Sequence, residues 1–208
     1  MTPTGTAVVD GTGLTLSNHG SNMVLWRNQV FPPSSELRFG VQPANVSGGV
    51  SIIFFSALGT SPGGSIFALP QAPRQGKMGR YQNGDISAYH YGYLRQDWGV
   101  RRDDGLGVCV RNALDQCVTF LRKDPGRTLV AEGVDLIGGG PDKVYHVVVR
   151  RTGGMITVLV DGGVSVQWQD AAPLGNGYFG LRQMHNTGSS LYTYVEVVVP
   201  PTAPGATP

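Results

Sequence analysis

Histidine, arginine and tyrosine carry most of the chemistry this sequence can offer. They are densest in Tyr81-Gln82-Asn83-Gly84-Asp85-Ile86-Ser87-Ala88-Tyr89-His90-Tyr91-Gly92-Tyr93-Leu94-Arg95. Read as a strand, this stretch sorts its side chains onto two faces. Ser87, Tyr89, Tyr91, Tyr93 and Arg95 share one, and Ala88, His90, Gly92 and Leu94 share the other. The small Ala88 and Gly92 predict an open trough beside the imidazole, wide enough for a sugar ring. An imidazole titrating near neutrality suits proton abstraction or donation, and Tyr81 or Tyr93 would be the partner acid. The bland alternative is an interior, hydrogen-bonded histidine whose small neighbours admit the opposing layer.

A second stretch, Gly177-Tyr178-Phe179-Gly180-Leu181-Arg182-Gln183-Met184-His185, turns Phe179 and Leu181 toward a core and Arg182 to the other side. A guanidinium there binds a carboxylate bidentately, which lysine cannot do; the alternative is a surface arginine at a strand end. From Arg74 to Arg127 there are ten Lys or Arg against six Asp. Arg95, Arg122 and Lys123 belong to this basic region, with Lys77 and Arg80, and are expected to line the cleft or its solvated rim. Aromatic faces pack on the apolar side of a pyranose. Of Trp26, Trp98 and Trp168, the loop residue Trp98 is the expected stacking platform, while Trp168 reads as core edge.

Several chemistries lack their residues. Glycoside hydrolysis ordinarily needs two carboxylates across the scissile bond, but the acids here are scattered through turns. There is no G-x-S-x-G elbow, H-E-x-x-H, P-loop or paired C-x-x-C, so serine esterase, zinc protease, NTPase and zinc-ribbon readings fall away, and no metal or cofactor is expected. A net charge of +2 is short of a nucleic-acid footprint, and no apolar run approaches a membrane span of about 20 residues.

Positioning these side chains requires strands. Alternation recurs at Leu14 to Leu16, Met23 to Trp26, Glu36 to Val41, Gly49 to Ala57, Ile86 to Arg95, Val108 to Arg111 and Cys117 to Arg122. It continues at Thr128 to Ala131, Lys143 to Arg151, Met155 to Val160, Val164 to Gln169, Tyr178 to Met184 and Leu191 to Val199. No helix longer than two turns is predicted. The glycines of Arg150-Arg151-Thr152-Gly153-Gly154-Met155 and Asp161-Gly162-Gly163 supply hairpin turns, joining three strands in a meander. So many short antiparallel strands cannot form one sheet without exposing an apolar face, which predicts an all-β, two-sheet jelly-roll sandwich.

Of 208 residues 40% are apolar and 14% charged, which suits one compact core over residues 1–199. The Pro/Thr-rich residues 200–208 read as a tail or linker. Met1-Thr2-Pro3-Thr4 has no signal-peptide character, so the expectation is a cytoplasmic protein, or a secreted one whose leader has been removed. Cys109 and Cys117 form a local staple or remain two thiols. Asn45-Val46-Ser47 is a sequon that matters only on a eukaryotic secretory route.

Val24-Leu25-Trp26, Ile53-Phe54-Phe55-Ser56-Ala57, Gly84-Asp85-Ile86-Ser87-Ala88-Tyr89-His90, Leu121-Arg122-Lys123 and Gly180-Leu181-Arg182-Gln183-Met184 occur in that order. In these pieces the chain resembles the YesU-like family of bacterial proteins with a concanavalin-A-like jelly roll, one member of which sits among genes for pectic rhamnogalacturonan breakdown. The resemblance covers most of 20–198 and singles out Asp85, His90, Arg122, Lys123, Arg182 and Gln183. The stretch Gln96 to Gln116 is longer than the family's connection, and Trp98, Arg101 and Arg102 inherit nothing from it.

The expected function is a lyase cleaving an anionic, uronate-containing poly- or oligosaccharide by β-elimination. Arg182, assisted by Gln183 or Arg122, would neutralise the uronate, His90 or a tyrosine would take the α-proton, and Tyr81 or Tyr93 would protonate the leaving oxygen. On that reading His90→Ala leaves the fold intact and abolishes unsaturated product. The alternatives are a non-catalytic carbohydrate-binding module and a glycoside hydrolase with Asp85 as acid.

Overall fold

A computed structural model of the chain describes residues 5–19, 22–43, 50–61, 64–69, 74, 77–94, 96–101, 107–137, 143–184 and 187–201, with backbone alone at 96–101, 107 and 108. The sequon at Asn45, Arg95, Arg102, His185 and the tail beyond residue 201 lie outside the described residues, as do the side chains of Trp98 and Arg101.

The strands are β1 (Thr6–Asp10), β2 (Gly13–Ser17), β3 (Met23–Trp26), β4 (Ser35–Pro43), β5 (Ser51–Gly59), β6 (Ile86–Tyr93), β7 (Gln96–Arg101) and β8 (Gly107–Cys109). They continue with β9 (Val118–Asp124), β10 (Thr128–Val134), β11 (Tyr145–Thr152), β12 (Met155–Val160), β13 (Gly163–Gln169), β14 (Tyr178–Gln183) and β15 (Ser189–Val198). One helical turn, α1 (Gly79–Gln82), and a 3-10 turn at Ile66–Ala68 lie between β5 and β6.

Two antiparallel sheets face each other as a jelly-roll sandwich. One has seven strands in the order β1-β2-β15-β4-β11-β12-β13, the other six in the order β10-β9-β6-β5-β14-β3, and β7 and β8 form a separate ribbon. The predicted meander is β11, β12 and β13, turning at Gly153 (φ +55°) and Gly154 (φ +83°), then at Asp161 (φ +49°) and Gly162 (φ +81°). Glycine fits such left-handed turn positions because it has no Cβ to clash.

Between the sheets lies the main core, in which Leu37, Phe39, Val41, Val147, Val149 and Val158 meet Ile53, Tyr89, Tyr91, Leu121 and Leu181. Its tyrosine hydroxyls are anchored across the gap: Tyr91 to Ser165 Oγ at 2.8 Å, Tyr93 to Tyr192 at 3.0 Å, and Tyr89 to Asp170 Oδ2 at 2.5 Å. Buried hydroxyls need such partners because desolvation without a hydrogen bond is costly.

At one end of the sandwich, β10 leans directly on β13. A Cβ at Gly133 would stand 2.0 Å from the Ser165 carbonyl oxygen. Gly133→Ala must therefore push two backbones apart, and we expect a loss of about 1–3 kcal/mol, the usual cost of overpacking. A urea midpoint indistinguishable from wild type would contradict this close approach.

The outward faces of the two sheets differ. Strand β11 alternates buried and exposed residues, as an antiparallel strand with one solvated face should. Strands β5, β6 and β14 are buried along nearly their whole length, on both faces. Their outward side chains, Ile52, Phe54, Ala88 and Tyr178, form a second apolar cluster with Ile66 of the 3-10 turn and Tyr81 of α1. The segment between β5 and β6 thus roofs the outward face of the six-stranded sheet. Cys109 and Cys117 are joined by a disulfide beside β9. Among the described residues no helix is long and apolar enough to cross a membrane.

Candidate functional site

The six-stranded sheet carries the predicted histidine and arginine on the same outward face. Register fixes this: Arg122 opposes His90, His90 opposes Phe54, Phe54 opposes Gly180, and Gly180 opposes Trp26. The next row runs Phe120, Gly92, Ile52, Arg182 and Val24. An imidazole, two guanidiniums and three aromatic rings therefore lie in adjacent rows across five strands.

His90 is fully buried and held at both ring nitrogens. Its Nδ1–H donates to Asp124 Oδ2 at 2.6 Å, and the Gln82 amide nitrogen of α1 stands 3.3 Å from Nε2, donating to the ring's lone pair. That pair of contacts selects the neutral Nδ1–H tautomer. Burial lowers the His90 pKa, and the hydrogen bond the imidazole donates to Asp124 works against this without prevailing. Asp124 is itself buried, and its Oδ1 has no hydrogen-bond partner among the described residues.

Arg182 is also buried, with Nη2 donating to Asn22 Oδ1 at 3.1 Å. Burial pushes its pKa down to about 10, so it remains charged at neutral pH. Tyr81 is the part of the roof that packs against Phe54 and Trp26, with ring centroids 5.7 and 6.4 Å away. Asp85 is paired with the buried Arg74, whose guanidinium also holds the Arg80 carbonyl at 2.8 Å and sits 5.6 Å over the Tyr81 ring. Asp85 thereby fastens the roof, and its carboxyl is held below the ordinary range chiefly by Arg74. Arg122 is half-buried, 5.1 Å over the Phe120 ring, and donates to the Arg127 carbonyl at 2.8 Å.

Three expected site residues face the other way. Tyr93 points between the sheets, where burial raises its pKa well above the ordinary value and Tyr192 holds its hydroxyl, so it cannot reach a ligand beside His90. Lys123 is offset by one residue from Arg122 and so falls on the opposite face, 2.7 Å from Asp170 Oδ2 and 2.6 Å from the Ala172 carbonyl. Gln183 follows Arg182 in the same way. Its amide nitrogen donates to the carbonyls of Leu16 at 3.0 Å and Gly188 at 3.2 Å, and its oxygen accepts from Ser190 Oγ at 2.8 Å. Period-2 geometry applied to Lys123 and Gln183 separates them from the site.

The expected trough is filled as well. A Cβ at Gly92 would stand 2.3 Å from the Phe120 ring, and one at Gly180 would stand 2.5 Å from Trp26. The glycines seat aromatic rings. Asp124, Gln82, Arg74 and Asn22 were not anticipated. Asp124 alone had a usable signal, since it lies two residues beyond Arg122 and so on the same face.

Residues 2–197 match the family described as Domain of unknown function (DUF1961). The chain belongs to that family. No curated protein matches this DUF1961 chain in sequence. Among solved structures it is similar to a protein of unknown function with galectin-like fold from Bacillus subtilis, at 24% identity and TM-score 0.75, covering 93% of this chain and 85% of that one. It is also similar to carbohydrate binding module CBM66 from Bacillus subtilis, at 13% identity and TM-score 0.56, covering 93% and 91%. The exoplasmic/lumenal domain of VIP36, in its Ca2+/Man2-bound form, matches at 12% identity and TM-score 0.62, covering 96% and 80%. These likenesses agree with the jelly-roll sandwich of this DUF1961 protein.

Proposed function

We propose that this protein binds carbohydrate, with a preference for acidic oligosaccharides, through the outward face of the six-stranded sheet. The observation that carries the reading is that the row Arg122–His90–Phe54–Gly180–Trp26 is covered over His90 and Phe54 but leaves a guanidinium and an indole, Arg122 and Trp26, half-buried at its two ends. Aromatic rings for pyranose faces and guanidiniums for carboxylates are what an acidic sugar needs. The half-buried Arg122 and Trp26 stand at the two ends of the row, where a ligand meets it beside the roof. His90 is engaged at both nitrogens, which favours a fixed polar element over a working base. Fold neighbours named as a carbohydrate-binding module and as a mannose-bound domain support this reading. We further infer that the kinship extends to the YesU-like proteins, on the shared Gly84-to-His90 and Gly180-to-Met184 elements. The Cys109–Cys117 disulfide supports an oxidising compartment.

Calorimetric titration with oligogalacturonate or oligoglucuronate, together with ultraviolet absorbance for unsaturated product, tests this. We expect binding without new absorbance. Arg122→Gln should weaken the uronate ligand about tenfold, the loss of one charge-assisted contact at a half-buried guanidinium, while leaving its carboxyl-reduced counterpart unchanged. Failure of every oligosaccharide to bind would sink the reading.

One observation favours lyase chemistry as a second reading: the His90–Asp124 pair orients an imidazole on the same face as Arg182 and Tyr81. In that scheme α1 withdraws Gln82 from Nε2, His90 takes the α-proton, Arg182 holds the uronate and Tyr81 protonates the leaving oxygen. Appearance of unsaturated uronate would establish it in place of simple binding.

A further inference from the structure

A groove opens along the β3 edge of the sandwich, where the two sheets diverge and where Trp26, the end of the row described above, forms part of the wall. Strand β3 borders it on the six-stranded sheet, and β1, β2 and β15 border it on the other. Its volume is about 710 Å³, within the range of small-molecule sites, roughly 300–1,000 Å³.

The floor is continuous with the core. Leu25, Phe179 and Leu181 come from one sheet, and Leu14, Val195 and Val197 from the other. On β1, Val9 is 79% exposed at the groove's edge. The polar rim is the segment Arg27-Asn28-Gln29, held in place because the Arg27 amide donates to the Phe179 carbonyl at 3.0 Å and the Phe31 amide to the Gly177 carbonyl at 2.9 Å.

The lining holds one cation and no acid. The Arg27 guanidinium is exposed, and the hydrogen bond found for it among the described residues is a long one, 3.5 Å to the Gln29 amide oxygen. The neighbouring acid on β1, Asp10, is taken up by Thr12, which donates to it from its backbone and its hydroxyl.

We propose that this groove binds a free aliphatic carboxylate, the hydrocarbon lying on the apolar floor and the carboxylate meeting Arg27. An apolar trough with one available guanidinium at its rim matches an amphipathic monoanion in both shape and charge. The floor, aliphatic with the rings of Trp26, Phe31 and Phe179 beside it, offers few polar partners for a sugar's hydroxyls, so the groove differs in ligand class from the outward face with which it shares Trp26.

Titration of the full chain with dodecanoate and with dodecanol, followed by calorimetry, tests the assignment. Wild type should bind one dodecanoate, and more tightly than dodecanol. Arg27→Gln should weaken dodecanoate about tenfold and leave dodecanol unchanged. Val9→Asp, at a position exposed enough to spare the fold, should weaken both at least tenfold. The proposal is overturned if dodecanoate does not bind, if Val9→Asp has no effect, or if Arg27→Gln weakens the two ligands equally. A concentration-dependent dimer in sedimentation that excludes dodecanoate would assign the groove to a second copy of the chain instead.

Discussion

His90→Ala lowers the stability of this protein by about 3–5 kcal/mol, the cost of leaving a buried charge without its partner. The substitution removes the donor to Asp124 Oδ2, and Oδ1 has no other partner among the described residues to share the charge. For a chain of this size that corresponds to a fall of about 6–20 °C in melting temperature. The double variant His90→Ala/Asp124→Ala should recover part of the loss, because it removes the unpaired carboxylate while the buried Gln82 amide still loses its bond to Nε2. The expectation from sequence that His90→Ala leaves the fold intact is thereby reversed: an imidazole under a roof is a structural partner whatever else it does. Thermal melts followed by circular dichroism decide the matter, and a single variant melting with wild type would refute the buried pair.

The same geometry sets a pH dependence. The folded His90 pKa is lowered, mainly by burial, so the unfolded chain takes up this proton first, near pH 6.5. Stability is therefore complete above about pH 6.5 and falls as pH drops toward the folded value, by up to about 1.4 kcal/mol per pH unit. The carboxyls held low by their partners, among them Glu36, Asp85 and Asp161, lose their contributions only nearer pH 4. Between pH 6.5 and 5 the double variant should thus show a flatter profile than wild type.

Much of the sandwich was legible because alternation and glycine turns are local signals. Met23–Trp26 and Met155–Val160 are strands at the bounds read from sequence, and the Gly153-Gly154 turn lies where its dipeptide predicts. Strand β1 was missed. Its side chains are exposed along its length, so nothing in Thr6–Asp10 had to alternate. Period-2 counting also placed Arg182 opposite Phe179 and Leu181, and His90 opposite Tyr89 and Tyr91. It could not show that both outward residues would be roofed, because that depends on where the segment between β5 and β6 folds back. Gln82 reaches His90 through tertiary packing, which no local pattern encodes, and Asp124, although two residues from Arg122 on one face of β9, reaches it only because β9 pairs with β6, more than thirty residues away. The glycine at position 92 was correctly read as making room, but the occupant is Phe120, supplied by the neighbouring strand.

Asp170→Ala is expected to destabilise the protein by about 3–4 kcal/mol, although no ligand role attaches to it. Its carboxylate accepts hydrogen bonds from Tyr89 Oη at 2.5 Å, Lys123 Nζ at 2.7 Å and the Ala172 amide at 2.9 Å. Burial works to raise its pKa, but the bonds from Lys123 and Tyr89 outweigh that and hold it below the ordinary carboxyl value. Hydrogen bonds to a charged group contribute about 1.5–3 kcal/mol each, and two of these tie β9 and β6 of one sheet to the end of β13 in the other. Tyr89 also accepts from the Leu174 amide at 2.8 Å, so the loss propagates into the chain that leads to β14. Lys123→Met should cost less, about 1–2 kcal/mol, because the lysine is partly exposed and the Tyr89 hydroxyl and Ala172 amide still hold the Asp170 carboxylate. If Lys123 served a ligand instead, Lys123→Met would weaken oligosaccharide binding at unchanged stability. Its position on the inner side of β9 predicts the reverse, a small drop in the urea midpoint with affinity preserved, and calorimetry alongside denaturation separates the two.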